Sequence, residues 1–140
     1  MLGPDSGFKV VREWVAKAES DLKTAAITLG AGRDCPTDTV CFHSQQCVEK
    51  YLKALLTLRS IPFPKTHNIR FLLELMPSEV RPELKRAWQD QLTDYAAAAR
   101  YPGWGPIPIS EARKAVAVAR RVRREVRRLL PKKTKTERGV

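Results

Sequence analysis

The chain has 140 residues, 43 % of them hydrophobic, and a formal net charge of +11. That length buries a core of its own without disulfides or metal, and the composition excludes collagenous and wholly disordered classes. No apolar run approaches the roughly 18 residues of a membrane span, and MLGPDSGFKV lacks the basic start and apolar core of a signal peptide, so no membrane partner and a cytoplasmic location are expected.

In chain order, the first helix is expected to begin at Ser6, a good N-cap residue, and to stop at Gly30. Val11, Trp14, Val15, Ala18, Leu22, Ala25, Ala26 and Leu29 recur at three and four, which makes one apolar face. GAGRDCPTD is a loop, and Thr37 or Asp38 can cap a second helix that continues to about Arg59. The prolines of SIPFPKT forbid its continuation. Thr66 is then expected to cap a short helix, HNIRFLLEL, ended by Pro77. Another helix is expected from Ser78 to about Arg100, with Pro82 tolerated in its first turn. YPGWGPIPIS is a loop, Ser110 caps the last helix, and residues 131–140 read as a basic, disordered tail. No strand pattern and no repeat is visible, so the fold class is all-α: one domain over residues 1–130, an up-and-down antiparallel four-helix bundle with an additional short helix.

Three cysteines without a secretion signal do not make a disulfide framework, and their spacing does not announce a zinc site, so Cys35, Cys41 and Cys47 read as buried thiols. Charge is uneven: residues 110–140 carry twelve Lys/Arg against three Glu. On the last helix Ala112, Ala115, Val116, Ala119, Val122, Val126, Leu129 and Leu130 form an apolar side, opposite a ridge of Arg113, Lys114, Arg120, Arg121, Arg124, Arg127 and Arg128. The ridge is either a plain solvated face or a surface for phosphate.

The second helix carries the sharpest question, FHSQQCVEKYLKALL from Phe42 to Leu56. With His43 set at 0°, Gln46, Lys50 and Lys53 fall within about 280–340°, while Val40, Cys47, Val48, Tyr51, Leu52 and Leu55 occupy the core side. The stripe is expected to lie mostly outside the core. It is either a solvated face or, because His and Gln make directional hydrogen bonds, a contact surface that Phe42 extends. Arg100 and Tyr101, where a helix gives way to a rigid loop, offer a guanidinium fork and an aromatic ring, or serve merely as a cap and an anchor.

FHSQQCVEKYLKALL, Thr66-His67, LTDYAAAARYPG and the upstream AESDL together resemble the HEPN domain, the nucleotide-binding helical domain of higher eukaryotes and prokaryotes, over about residues 8–130. The resemblance implies a helical bundle similar to the C-terminal domain of kanamycin nucleotidyltransferase, commonly a dimer. It also implies, as partner, a minimal nucleotidyltransferase encoded nearby in a toxin–antitoxin-type module. Carried over residue by residue, Asp21, His43, Gln46, Glu49, Lys50, Lys53, His67, Arg100 and Tyr101 would line a cleft for nucleotide, RNA or partner, with no metal and no cofactor. HEPN ribonucleases carry an arginine, four to six residues and then a histidine, usually in the last helix. Here the two histidines are His43 and His67, and Arg59 precedes His67 with seven residues between. The expectation is therefore a non-catalytic binding module, with a metal-independent ribonuclease toxin as the alternative and a purely structural subunit as a third possibility.

Overall fold

The computed structural model describes residues 6–135. Five α-helices follow one another: α1 (Ser6–Leu29), α2 (Thr37–Leu58), α3 (Ile69–Glu74), α4 (Arg86–Ala98) and α5 (Ile109–Leu129). Short 3₁₀ turns lie at Ser78–Val80 and Lys132–Thr134. No strand occurs among the described residues, and the all-α helical bundle stands as expected.

The organising element is α2. It packs along α1 on one side and against α5 and α4 on others, so 14 of its 22 residues are buried. The core positions read from periodicity, Val40, Cys47, Val48, Tyr51, Leu52 and Leu55, are all buried, as are Val11, Val15, Ala18 and Ala25 of α1 and Ala112 to Val126 along the inner side of α5. Burial pushes the Cys41 thiol up to about 12 and the Cys47 thiol further, which keeps both protonated and inert at neutral pH.

Several boundaries differ from expectation, each for an identifiable reason. The first helix begins at Ser6 itself, and what precedes it lies outside the described residues. Thr37 is already helical and spends its hydroxyl on the Ile107 carbonyl (2.7 Å), while Asp38 accepts from the N–H of its neighbour Thr39; Pro36 stands at the cap, with no side-chain cap bond. Asn68, not Thr66, caps α3: its side chain accepts from the Phe71 N–H at 3.0 Å, and Thr66 supports Asn68 from behind. The expected helix from Ser78 stops after one turn, because Arg81 precedes Pro82 and is held extended (φ −78°, ψ 121°); helix resumes only at Arg86. Ser110 lies inside α5, whose cap is Pro108, and Leu129 is exposed rather than packed.

The stretch read as a disordered tail is ordered at its start. Thr134 is buried, Arg12 donates to the Lys133 carbonyl at 3.2 Å, and the Lys133 ammonium lies 5.8 Å from the Phe8 ring. Residues 136–140, the remainder of that expected tail, lie outside the described residues.

The exit from α2 positions the site. Ser60 adopts φ 56°, the left-handed region, and the Ser60 and Ile61 N–H groups close back on the Thr57 and Leu56 carbonyls. This turn sends residues 61–68 back along α2 and returns His67 to its side. A non-glycine side chain there opposes the geometry that the hydrogen bonds demand. Ser60→Gly should therefore stabilise the protein by about 0.5–1 kcal/mol in denaturant titration, with the unfolding m-value unchanged.

Candidate functional site

The polar stripe of α2 is not a solvated face. Most of it is covered by α1 and by the segment entering α3, and its residues pair there. Asp21, nearly buried on α1, accepts from His43 Nδ1 at 2.8 Å on one oxygen and from Lys50 Nζ at 2.6 Å on the other. Glu49, 3 % exposed, binds His67 Nδ1 at 2.7 Å and Gln45 Nε2 at 2.9 Å through Oε1, and Lys53 Nζ at 2.9 Å through Oε2. Gln46 donates to the Gln45 side-chain oxygen at 2.7 Å. Helical spacing makes this possible, because positions 45, 49 and 53 lie one turn apart on one side.

Lys53 is buried too, and its ammonium sits 5.5 Å from the Trp14 ring and 5.7 Å from the Phe63 ring. One carboxylate and two aromatic faces thus replace its water. Burial alone would raise the Glu49 carboxyl, but hydrogen bonds from Gln45, Lys53 and His67 outweigh it and hold the group below its ordinary value.

At the outer margin the arrangement is open. Phe42 has the His43 ring edge-on at 5.2 Å and the Arg100 guanidinium over its face at 5.6 Å. Tyr101 is 62 % exposed, next to Arg100 but outside the paired network. His43 and His67 each commit Nδ1 to a carboxylate and keep Nε2 for an outside partner, and both rings remain partly accessible. Of the nine cleft residues read from sequence, seven fall in these two neighbouring clusters on α2, Arg100 joins His43 through Phe42, and Tyr101 stands apart.

The basic ridge of α5 divides. Arg113, Arg120, Arg124 and Arg128 are exposed, and Arg121 reaches Glu125 at 4.0 Å. Arg127 does not belong to the outward face: it turns in to Tyr51 Oη at 3.3 Å and to Glu19 at 3.6 Å. Arg123, absent from the sequence reading, clamps buried Glu19 with two bonds of 2.7 and 2.8 Å. Burial acts against the charge of Glu19, but hydrogen bonds from Arg123 and Tyr51, with the charges of Arg123 and Arg127, prevail and lower its pKa; the bonds to Glu19 raise that of Arg123. A signal for this clamp was present, since Glu19 lies four after Val15 and Arg123 four after Ala119, each interrupting an apolar stripe.

The geometry defines a class: an all-α bundle domain whose inter-helix seams are closed by carboxylates, with histidine, arginine and aromatic groups at the edge. The chain belongs to the HEPN family, whose domain model matches residues 11–129. A curated protein of Methanocaldococcus jannaschii, named "Putative toxin MJ1304", is 34 % identical over 90 residues, a stretch that covers 63 % of this chain and 55 % of that protein. The match thus spans about half the length of the curated relative. Two crystal structures resemble the fold. An archaeal HEPN homologue aligns with a TM-score of 0.66 and 26 % identity over 85 % of this chain and 96 % of its own. The protein TT1696 from Thermus thermophilus aligns at 0.71 and 28 % over 86 % and 98 %.

The buried carboxylates make stability depend on pH with a definite sign. Both Glu19 and Glu49 titrate below 4.5 in the fold, so the stability they contribute is complete above the unfolded value and is lost as pH falls through the folded one. Glu19→Gln should cost about 2–3 kcal/mol at pH 7, since it leaves Arg123 and Arg127 half-buried without their anion. Thermal melts from pH 7 to pH 3 should show the difference between wild type and Glu19→Gln shrinking with acid. A constant difference would mean that shape, not charge, sets the contribution of Glu19.

Proposed function

We propose that this HEPN protein binds nucleotide or RNA at the face formed by Phe42, His43, Arg100 and Tyr101, without turning it over. The observation that carries the reading is the Phe42 ring flanked by His43 and Arg100. It offers a base-stacking surface, a guanidinium fork for phosphate and an imidazole Nε2 in one place. Asp21 and Lys50 fix the His43 ring from behind, so the surface is preorganised rather than assembled on binding. We further propose that the protein dimerises and docks a minimal nucleotidyltransferase in a toxin–antitoxin-type module. The name of the Methanocaldococcus relative supports that setting, and the family membership supports the helical-bundle partner.

A specific observation favours ribonuclease action as the second reading. Asp21–His43 and Glu49–His67 are both carboxylate-oriented imidazoles, the arrangement that fixes a tautomer for general acid–base work. Their anchors on α2 are six residues apart, about 9 Å along the axis, and the Arg-(four to six residues)-His spacing is absent, so binding without turnover remains the primary reading.

End-labelled RNA incubated with purified protein, in EDTA and in magnesium, separates the two. The expected outcome is a salt-sensitive mobility shift with intact RNA, weakened at least tenfold in Arg100→Ala and His43→Ala. Cleavage in EDTA that disappears in His43→Ala or His67→Ala would replace the primary reading with the ribonuclease. Light scattering of the free protein and co-purification with the transferase test the dimer and the partner.

A further inference from the structure

We infer that the outward arginine row of α5, Arg120, Arg124 and Arg128, seats the sugar–phosphate backbone of single-stranded RNA on a surface separate from the histidine face. This rests on the reading of the protein as a nucleic-acid-binding module, and adds to it a second surface and a mode of recognition. The three residues are exposed and follow one another at four-residue intervals, so successive guanidinium groups climb about 6 Å along the helix and drift only about 40° around it. That rise is close to the spacing of neighbouring phosphates on one strand. Arg113, exposed seven residues earlier and about 20° away, extends the line toward the helix start.

The row is held outward by its neighbours. Arg123 and Arg127, each one residue before a row member, turn in to Glu19 and Tyr51 and stop α5 from rolling about its axis. At the C-terminal end Arg124, Arg128 and Lys135 border an open groove of about 350 Å³. Neither acidic residue of α5 reaches the row: Glu111 accepts from Tyr95 and Gln91, while Glu125 faces Arg121 and the Glu83 N–H.

On the Arg121 side lies an open cavity of about 440 Å³ whose lining includes Glu83 and Glu125, carboxylates that would repel the second backbone of a duplex. The row carries no aromatic residue, so it reads phosphate and not base. Its reverse side is buried Ala and Val of the bundle, which leaves no apolar wedge for a lipid surface. A single guanidinium fork takes carboxylate as readily as phosphate, so it is the regular rise of about 6 Å along the row that favours a strand of phosphates over the scattered carboxylates of an acidic protein. The surface is also distinct from the Phe42–His43 face, because Glu19 and Asp21, which brace the two, point about 160° apart on α1.

The test is an anisotropy titration with labelled A, C and U homopolymers of about 20 nucleotides, repeated between about 50 and 200 mM salt. The wild type should bind all three within about threefold, since backbone contact is sequence-tolerant. Arg120→Gln/Arg124→Gln/Arg128→Gln should bind at least tenfold more weakly, with a log–log salt slope shallower by about 2, three phosphates at about 0.7 each. The single Arg124→Gln should remove about 0.7 and guards against a folding defect in the triple variant. Unchanged affinity and slope in a triple variant that melts like the wild type would overturn the row; if Arg100→Ala still weakened RNA binding, the functional reading would stand. No RNA binding by the wild type would sink the row, while retained nucleotide binding at the His43 face would leave the functional reading in its nucleotide form. Preference for duplex RNA, or displacement of the strand by polyglutamate or by anionic vesicles at matched charge, would overturn the inference in favour of those partners.

Discussion

A carboxylate can be kept inside a helical bundle only if cations and N–H donors surround it, because the loss of water otherwise costs several kcal/mol. Among the described residues the chain buries three, Glu19, Asp21 and Glu49, and their demands explain much of its geometry. Glu19 draws Arg123 and Arg127 of α5 onto α1. Asp21 draws His43 and Lys50 of α2 onto the other side of the same helix. Glu49 draws Lys53 along its own helix and His67 from the loop ahead of α3. Apolar packing is non-directional and would permit α1 to slide or roll over α2. Bidentate and two-partner carboxylates do not.

The fold was legible where one residue type decides a local outcome. Apolar spacing located the helices, prolines located the breaks, and YPGWGPIP could be nothing but a loop. Capping was less legible, since it depends on which neighbour competes for the hydroxyl. Thr37 looked like a cap until Ile107, seventy residues away, took its hydrogen bond. The Ser78 helix failed for a reason visible in the sequence, the constraint that Pro82 places on Arg81, which a single tolerated proline in a first turn does not remove.

The candidate site was legible in membership but not in state. A helical wheel assigns one face to solvent by default, which suits a helix at the edge of a bundle. The central α2 has neighbours on nearly every side, so the stripe opposite its core became a second interior. Its residue types carried that message: a buried stripe rich in His, Gln, Glu and Lys offers both signs of charge and both kinds of hydrogen-bonding group, whereas a solvated one needs no such balance. Glu19 and Arg123 carried it as well, as opposite charges interrupting the apolar stripes of two different helices.

This division of polar groups separates structure from recognition. Charges that meet inside satisfy one another and have nothing left for a ligand; removing one partner would be felt first as instability. Charges left outside, Arg100 over Phe42 and the exposed row of Arg120, Arg124 and Arg128 on α5, lie side by side with like charge, and an anion would relieve their mutual repulsion. The histidines stand on the border, with one ring nitrogen on each side of it. A ligand bound at the outer face, as proposed, would meet imidazoles already oriented by the same carboxylates that hold the helices together. On the proposed reading, binding geometry and fold stability would be coupled through Asp21 and Glu49, because the carboxylates that orient the imidazoles also tie the helices together.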